Sequence, residues 1–111
     1  MDPEHARELL ARERQRVETA LSGLRRGDDD ELADYDQHPA DQASATFEDE
    51  RDEGIAQGLR DELAAIERAE RRLEEGTYGL SVETGQPIPD ERLEAVPYAD
   101  RNEHEQERFE R

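Results

Sequence analysis

Thirty-two of the 111 residues are Asp or Glu, and the fifteen cations are all Arg, so carboxylates are the groups with which this chain does any chemistry. Carboxylates in such numbers transfer protons, ligate a cation, or meet a basic surface. Proton transfer needs an apolar pocket that shifts a carboxyl away from its ordinary pKa. With 32% apolar and 5% aromatic residues the chain has little from which to build one. No nucleophile sits in a recognisable motif and no Gly-rich phosphate loop is present, so the reading is that of a non-enzyme. Metal ligation by thiolate is closed to a chain without cysteine. His104 and Glu105 together supply only two good donors.

What remains is charge against charge. The formal charge is −17, and each phosphate neutralised in a nucleic acid needs a Lys or Arg, so direct DNA binding is not expected. The charge is uneven. Residues 1–26 carry six Arg against five acids, whereas residues 27–53 carry twelve acids against the single Arg51, a net −11. That central block suits a positively lined protein surface. The first residues, Met1-Asp2-Pro3-Glu4, have neither the basic region nor the apolar run of a signal peptide, and no apolar run is long enough for a membrane span. A cytoplasmic protein is the expectation.

The elements that present this block are helices. Asp2 followed by Pro3 is a helix start, and the spacing predicts a helix over Pro3–Arg26, with Leu10, Val17, Leu21 and Leu24 forming a narrow apolar seam. Arg25, Arg26 and Gly27 are expected to close it. Arg7, Arg12, Arg14 and Arg16 interleave with Glu8, Glu13 and Glu18 and read as salt-bridged helix faces. A second helix is expected from about Asp41 to Ser44 through Glu75, with Ile55, Leu59, Leu63, Ile66 and Leu73 on one face and Gly76 just past its end. Two seams of similar width imply an antiparallel hairpin, whose longer helix spans roughly 50 Å at 1.5 Å per residue. Gly54 and Gly58 each cost that helix about 1 kcal/mol relative to Ala. The hairpin tip is placed at Gly27–Ala40, where aspartates and Pro39 disfavour helix. Beyond Gly76 the turn residues predict a small β-hairpin, then one helical turn at Asp90–Leu93. A polar C-terminal helix or disordered tail follows, with only Phe109 to bury. Tyr78, Leu80, Ile88, Leu93, Val96 and Tyr98 are the expected core of this small C-terminal knuckle.

The stretch Arg68–Ala99 carries a family resemblance. Gly76, Tyr78, Gly79, Gly85, Ile88, Arg92, Leu93, Ala95, Pro97 and Ala99 fall in register with the C-terminal finger of the DksA/TraR group of bacterial RNA polymerase regulators, GxYGxCxxCGxxIxxxRLxAxPxAxxCxxC. The four cysteine positions fall on Ser81, Thr84, Asn102 and Glu105. The family implies zinc there. Neutral hydroxyls and an amide are poor zinc ligands, so the expectation is a knuckle with no metal and no other cofactor, closed by packing and by Ser81 or Thr84 hydroxyls bonded to turn amides.

A second resemblance lies at the tip. The family places Asp-x-x-Asp-x-Ala between its coiled-coil helices; here the run is His38-Pro39-Ala40-Asp41-Gln42-Ala43. Asp41 and Ala43 take the second Asp and the Ala, and His38 stands in place of the first Asp. The run Tyr35–Asp41 with Phe47–Asp52 resembles a Gram-positive, sporulation-associated branch of the group. The resemblance implies a regulator that binds bacterial RNA polymerase directly and inserts its acidic tip into the secondary channel. There an Asp near the catalytic magnesium acts on the ion or its ligands. It further implies guanosine tetraphosphate as a ligand shared with polymerase in responsive members.

The sequence therefore predicts an all-α chain, an antiparallel helical hairpin over 1–75 with an acidic tip at 27–43, followed over 76–111 by a degenerate zinc-finger region and C-terminal helix. It is expected to be a monomer, with His38, Asp41 and Ala43 contacting the partner. The alternative is a structural coiled-coil module whose seam pairs between chains or binds another protein, and an obligate dimer would mark it.

Overall fold

The computed structural model describes the backbone of residues 1–35 and 42–111 and the side chains of 1–24 and 50–111. It contains α1 (Pro3–Tyr35), α2 (Gln42–Glu75), α3 (Asp90–Ala95) and α4 (Glu103–Glu110). The chain divides into two compact units, Met1–Gln15 with Ala64–Arg111, and Arg16–Leu63.

Asp2 caps α1 as its sequence requires, accepting the His5 amide on Oδ2 at 3.2 Å. In the first unit α1 and α2 run antiparallel. Arg14 reaches Glu70 at 2.6 Å and Glu67 at 3.6 Å, while Arg7 and Leu10 border the same groove as Glu70, Leu73 and Glu74. Leu10 and Ile66 of the seam are fully buried, together with Ala6 and Ala69, two small residues that the apolar spacing alone did not single out. In the second unit Val17 is fully buried and Arg16 pairs with Glu62 at 2.7 Å.

Three expectations are corrected. α1 continues to Tyr35, nine residues past Arg26, so its end is not at Gly27. A single glycine costs about 1 kcal/mol, and the good helix formers Glu31, Leu32 and Ala33 carry the helix through it. Ile55, placed on the seam, is 46% exposed. The β-hairpin reduces to one antiparallel bridge, Leu80 with Pro87, because Pro87 has no amide with which to extend a ladder. His38 and Asp41 lie outside the described residues, and so does the side chain of Ala43, which is in the first turn of α2.

α2 ends where Gly76 predicts. Gly76 adopts φ 81°, its amide bonds to the Leu73 carbonyl at 3.4 Å, and the Thr77 amide reaches back to the Arg72 carbonyl at 2.8 Å. This pair of bonds satisfies carbonyls that the helix end leaves open, and it needs the left-handed backbone that glycine supplies. The chain then turns into the knuckle. No helix among the described residues is long and apolar enough to cross a membrane.

Candidate functional site

The knuckle is built on a small apolar centre. Ile88, Leu93 and Ala99 are buried, with Met1, Tyr78 and Val96 packed against them. Tyr78 and Val96 belong to the expected core, but Leu80 is exposed, while Ala99 and Met1 take part unforeseen. The Tyr78 hydroxyl donates to the Pro97 carbonyl at 2.8 Å, tying the start of the knuckle to the segment after α3. Burial favours the neutral phenol and pushes its pKa up to about 12, although the nearby Arg72 pulls the other way. Three backbone bonds fold the loop between Tyr78 and Pro89. Ser81 donates to Gln86 at 2.8 Å, Gly85 to Ser81 at 2.9 Å and Ile88 to Gly79 at 2.7 Å. A fourth, from Val82 to Asp100 at 2.9 Å, joins that loop to the approach to α4. The Arg92 side chain of α3 donates to the Arg101 carbonyl at 2.7 Å, so α3 holds the same approach as well.

The four positions where the family frame has cysteines converge in one hydrogen-bonded cluster. Ser81 Oγ donates to Glu105 Oε2 at 2.8 Å across 24 residues of sequence. The same Oγ accepts the amides of Glu83 at 3.1 Å and Thr84 at 3.3 Å, which folds the loop around it. Asn102 Oδ1 accepts the Glu105 amide at 2.9 Å, and Glu105 Oε1 accepts the Asn102 amide at 2.9 Å. This reciprocal capping box starts α4. Ser81 is 5% exposed and Glu105 2% exposed, so both polar groups are buried and both are satisfied.

The donors that reach the carboxylate favour its ionised form. The Asn102 amide contributes most and holds Glu105 below the ordinary carboxylate range. Burial opposes this less strongly than the amide acts, and the Ser81 and Thr84 hydroxyls reinforce the amide. Sequence reasoning anticipated the hydroxyl-to-amide bonds of Ser81 but not the part of Glu105. The signal was present as Asn102-x-x-Glu105, a capping-box spacing ahead of a helix.

This donor set does not fit zinc. A structural zinc site uses four strong thiolate or imidazole donors, and here one carboxylate faces two hydroxyls and an amide whose oxygens are already engaged. His104 is exposed, and no group of three or more His, Cys, Asp or Glu residues converges to hold a metal among the described residues. The cluster positions α4 against the loop and has no vacant coordination to offer.

α4 departs from expectation in a second way. Phe109 is 63% exposed instead of buried. One face of its ring carries the Arg101 guanidinium 3.9 Å from the centroid, a cation–π contact. Arg101 also meets Asp100 at 3.2 Å and Glu83 at 3.6 Å. Arg68, Arg92, Arg101, Asp100, Glu110, Tyr98 and Phe109 border a recess of mixed charge and aromatic character beside the knuckle.

No family model matches the chain. It is 45% identical over 69 residues to the uncharacterized protein YteA of Bacillus subtilis, a match covering 62% of this chain and 29% of that one. It is 42% identical over 64 residues to general stress protein 16O of the same organism, covering 58% and 39%. It is also 42% identical over 76 residues to the RNA polymerase-binding transcription factor DksA of Caulobacter vibrioides, covering 65% and 51%. The chain thus spans about half the length, or less, of these curated relatives. Among solved structures, the transcription factor DksA2 of Pseudomonas aeruginosa superposes with a TM-score of 0.80 at 31% identity, over 97% of this chain and 82% of that one. A helical hairpin carrying a knuckle, similar in sequence and in fold to DksA proteins over nearly its whole length, makes this chain a member of the DksA/TraR family.

Proposed function

We propose that this protein is a transcription regulator that binds bacterial RNA polymerase directly, inserting the acidic tip of its hairpin into the secondary channel without contacting DNA. The observation that carries the reading is the likeness to a transcription factor, DksA2, over 97% of the chain. It is joined by the similarity to a DksA whose own name describes it as polymerase-binding. Charge supports the geometry: twelve acids and one Arg between residues 27 and 53 suit a positively lined channel, where complementary charge speeds and orients association. Asp41, Ala43 and His38 are the contact residues of this reading, on a hairpin domain over 1–75, with the 76–111 region as a second domain that has no cofactor. The protein acts as a monomer in the bacterial cytoplasm, where its polymerase is. Burial of Ala6, Leu10, Ile66 and Ala69 within one chain supports the monomer over a seam shared between chains. Guanosine tetraphosphate shared with polymerase belongs to the same reading.

The test is a photo-crosslinking residue at Gln42 in the full chain, mixed with RNA polymerase core with and without guanosine tetraphosphate. Crosslinks to the walls of the secondary channel are the expected result. A folded protein that gives no polymerase crosslink would overturn the reading.

A further inference from the structure

In the DksA/TraR frame the finger's two ligand pairs are joined through a metal, and in this chain the same four positions are joined to one another. We propose that the Glu105 carboxylate does the metal's structural work, cross-linking α4 to the Ser81–Gly85 loop so that the knuckle closes without any ion. This goes beyond the polymerase reading and is independent of it.

Three observations carry it. First, the link spans the two halves of the former site. Ser81, from the first pair, bonds to Glu105, from the second; Thr84 joins them through its amide on Ser81 Oγ, and Asn102 completes the second pair by capping the helix on which Glu105 sits. A thiolate site makes the same connections through its central ion. Second, the carboxylate is buried with both oxygens occupied, Oε2 by the Ser81 hydroxyl and Oε1 by the Asn102 amide, which is how a buried charge is made tolerable. Third, the surrounding turn remains closed around that link. Ser81 Oγ gathers the Glu83 and Thr84 amides, and the Val82 amide bonds to the Asp100 carbonyl from the other half. A knuckle held in this way has no thiolate to oxidise and no ion to lose, so it keeps its form under oxidants and under metal withdrawal, conditions that open a four-cysteine finger.

Amide hydrogen exchange on the full chain tests this at Ser81, Val82 and Ile88, whose amides each close a bond within the knuckle. Neither excess EDTA nor one equivalent of Zn²⁺ is expected to change their rates. Glu105→Ala is expected to speed all three by about tenfold or more, and Glu105→Gln, which keeps one carbonyl acceptor, by less, while amides in Arg16–Leu63 keep their protection. If the alanine variant does not fold, the glutamine variant carries the same comparison. The converse variant, with Ser81, Thr84, Asn102 and Glu105 all replaced by Cys, is expected to take up one zinc and to lose knuckle protection in EDTA. The proposal is overturned by EDTA opening the native knuckle, by unchanged exchange in both Glu105 variants, or by a four-cysteine variant that binds no zinc.

Discussion

Ser81 and Glu105 lie 24 residues apart in sequence, and their side chains meet at 2.8 Å in the buried centre of the knuckle. Ser81 is the donor in that contact and the acceptor for two loop amides, so one hydroxyl couples the loop to α4. Ser81→Ala removes all three bonds and deprives the buried Glu105 carboxylate of one of its donors, and it is expected to cost about 2 kcal/mol. Chemical denaturation read by a probe in the knuckle measures it. Ser81→Thr keeps the hydroxyl and should retain part of the loss.

The acid limit of the knuckle follows from the same carboxylate. Glu105 is held below its ordinary pKa of 4.5, chiefly by the Asn102 amide. A carboxyl depressed in the folded state adds stability that is fully present above its unfolded pKa and is lost as pH falls through the folded one. Knuckle stability should therefore be flat near neutrality and decline only below about pH 4.5. In Glu105→Gln that step should be missing, so that it remains in the difference between the two curves. Urea unfolding at a series of pH values from 7 to 3 gives the comparison, and a decline identical in the variant would assign the step to other groups.

Tyr78 sets the alkaline limit. Its phenol is half-buried, donates to the Pro97 carbonyl at 2.8 Å, and titrates near 12 where a free tyrosine titrates at 10. A neutral phenol retained by the fold contributes stability that is present below pH 10 and is lost as pH rises towards 12. Ultraviolet titration should show one late-ionising tyrosine that disappears in Tyr78→Phe. The same variant keeps the ring against the apolar centre and loses only the hydrogen bond, about 1 kcal/mol.

What the sequence made legible depended on the range of the interaction. Helix ends set by local chemistry were readable, because Asp2-Pro3 and Glu75-Gly76 act through bonds to residues within five positions. The metal-site frame was readable because its glycines, Pro97 and Arg92 keep their spacing. The end of α1 was not, since a glycine and a run of aspartates weaken a helix without forbidding it. Exposure of Ile55 and Phe109 was not readable either: apolar character says what a residue gains from burial, and only tertiary packing says whether a partner is there. The Glu105 cluster was half legible. The capping box is local and has a signature, whereas the Ser81 contact joins positions that only the folded knuckle brings together.

Gly54 and Gly58 offer a gain of stability in the Arg16–Leu63 unit. Both lie inside α2, both are exposed, and an added Cβ at either position meets no atom within 4 Å. Neither is among the glycines of positive φ, so alanine fits the backbone as it stands. Gly58→Ala is expected to stabilise by about 0.5–1 kcal/mol, and the double variant with Gly54→Ala by roughly twice that, since the sites sit a turn apart without a shared partner. Thermal unfolding followed by circular dichroism reads the gain. A loss of polymerase effect accompanying it would indicate that the proposed function needs this part of the hairpin to open.

The proposed function turns on Asp41, the residue immediately before α2 in sequence. Removing a carboxylate at that position takes away charge, and an Asp just ahead of a helix is also of a residue type that caps one, so the two effects have to be separated. Asn ranks with Asp as an N-cap and carries no charge, so Asp41→Asn tests the first while sparing the second. The expected outcome is a thermal midpoint close to that of the parent together with loss of the effect on transcription in a purified polymerase assay. Asp41→Ala should lose the same activity and, in addition, about 1 kcal/mol of stability if the side chain caps the helix. An Asn variant that remains fully active would remove the tip carboxylate from the mechanism and leave the neighbouring acids of residues 27–53 as the source of any polymerase affinity.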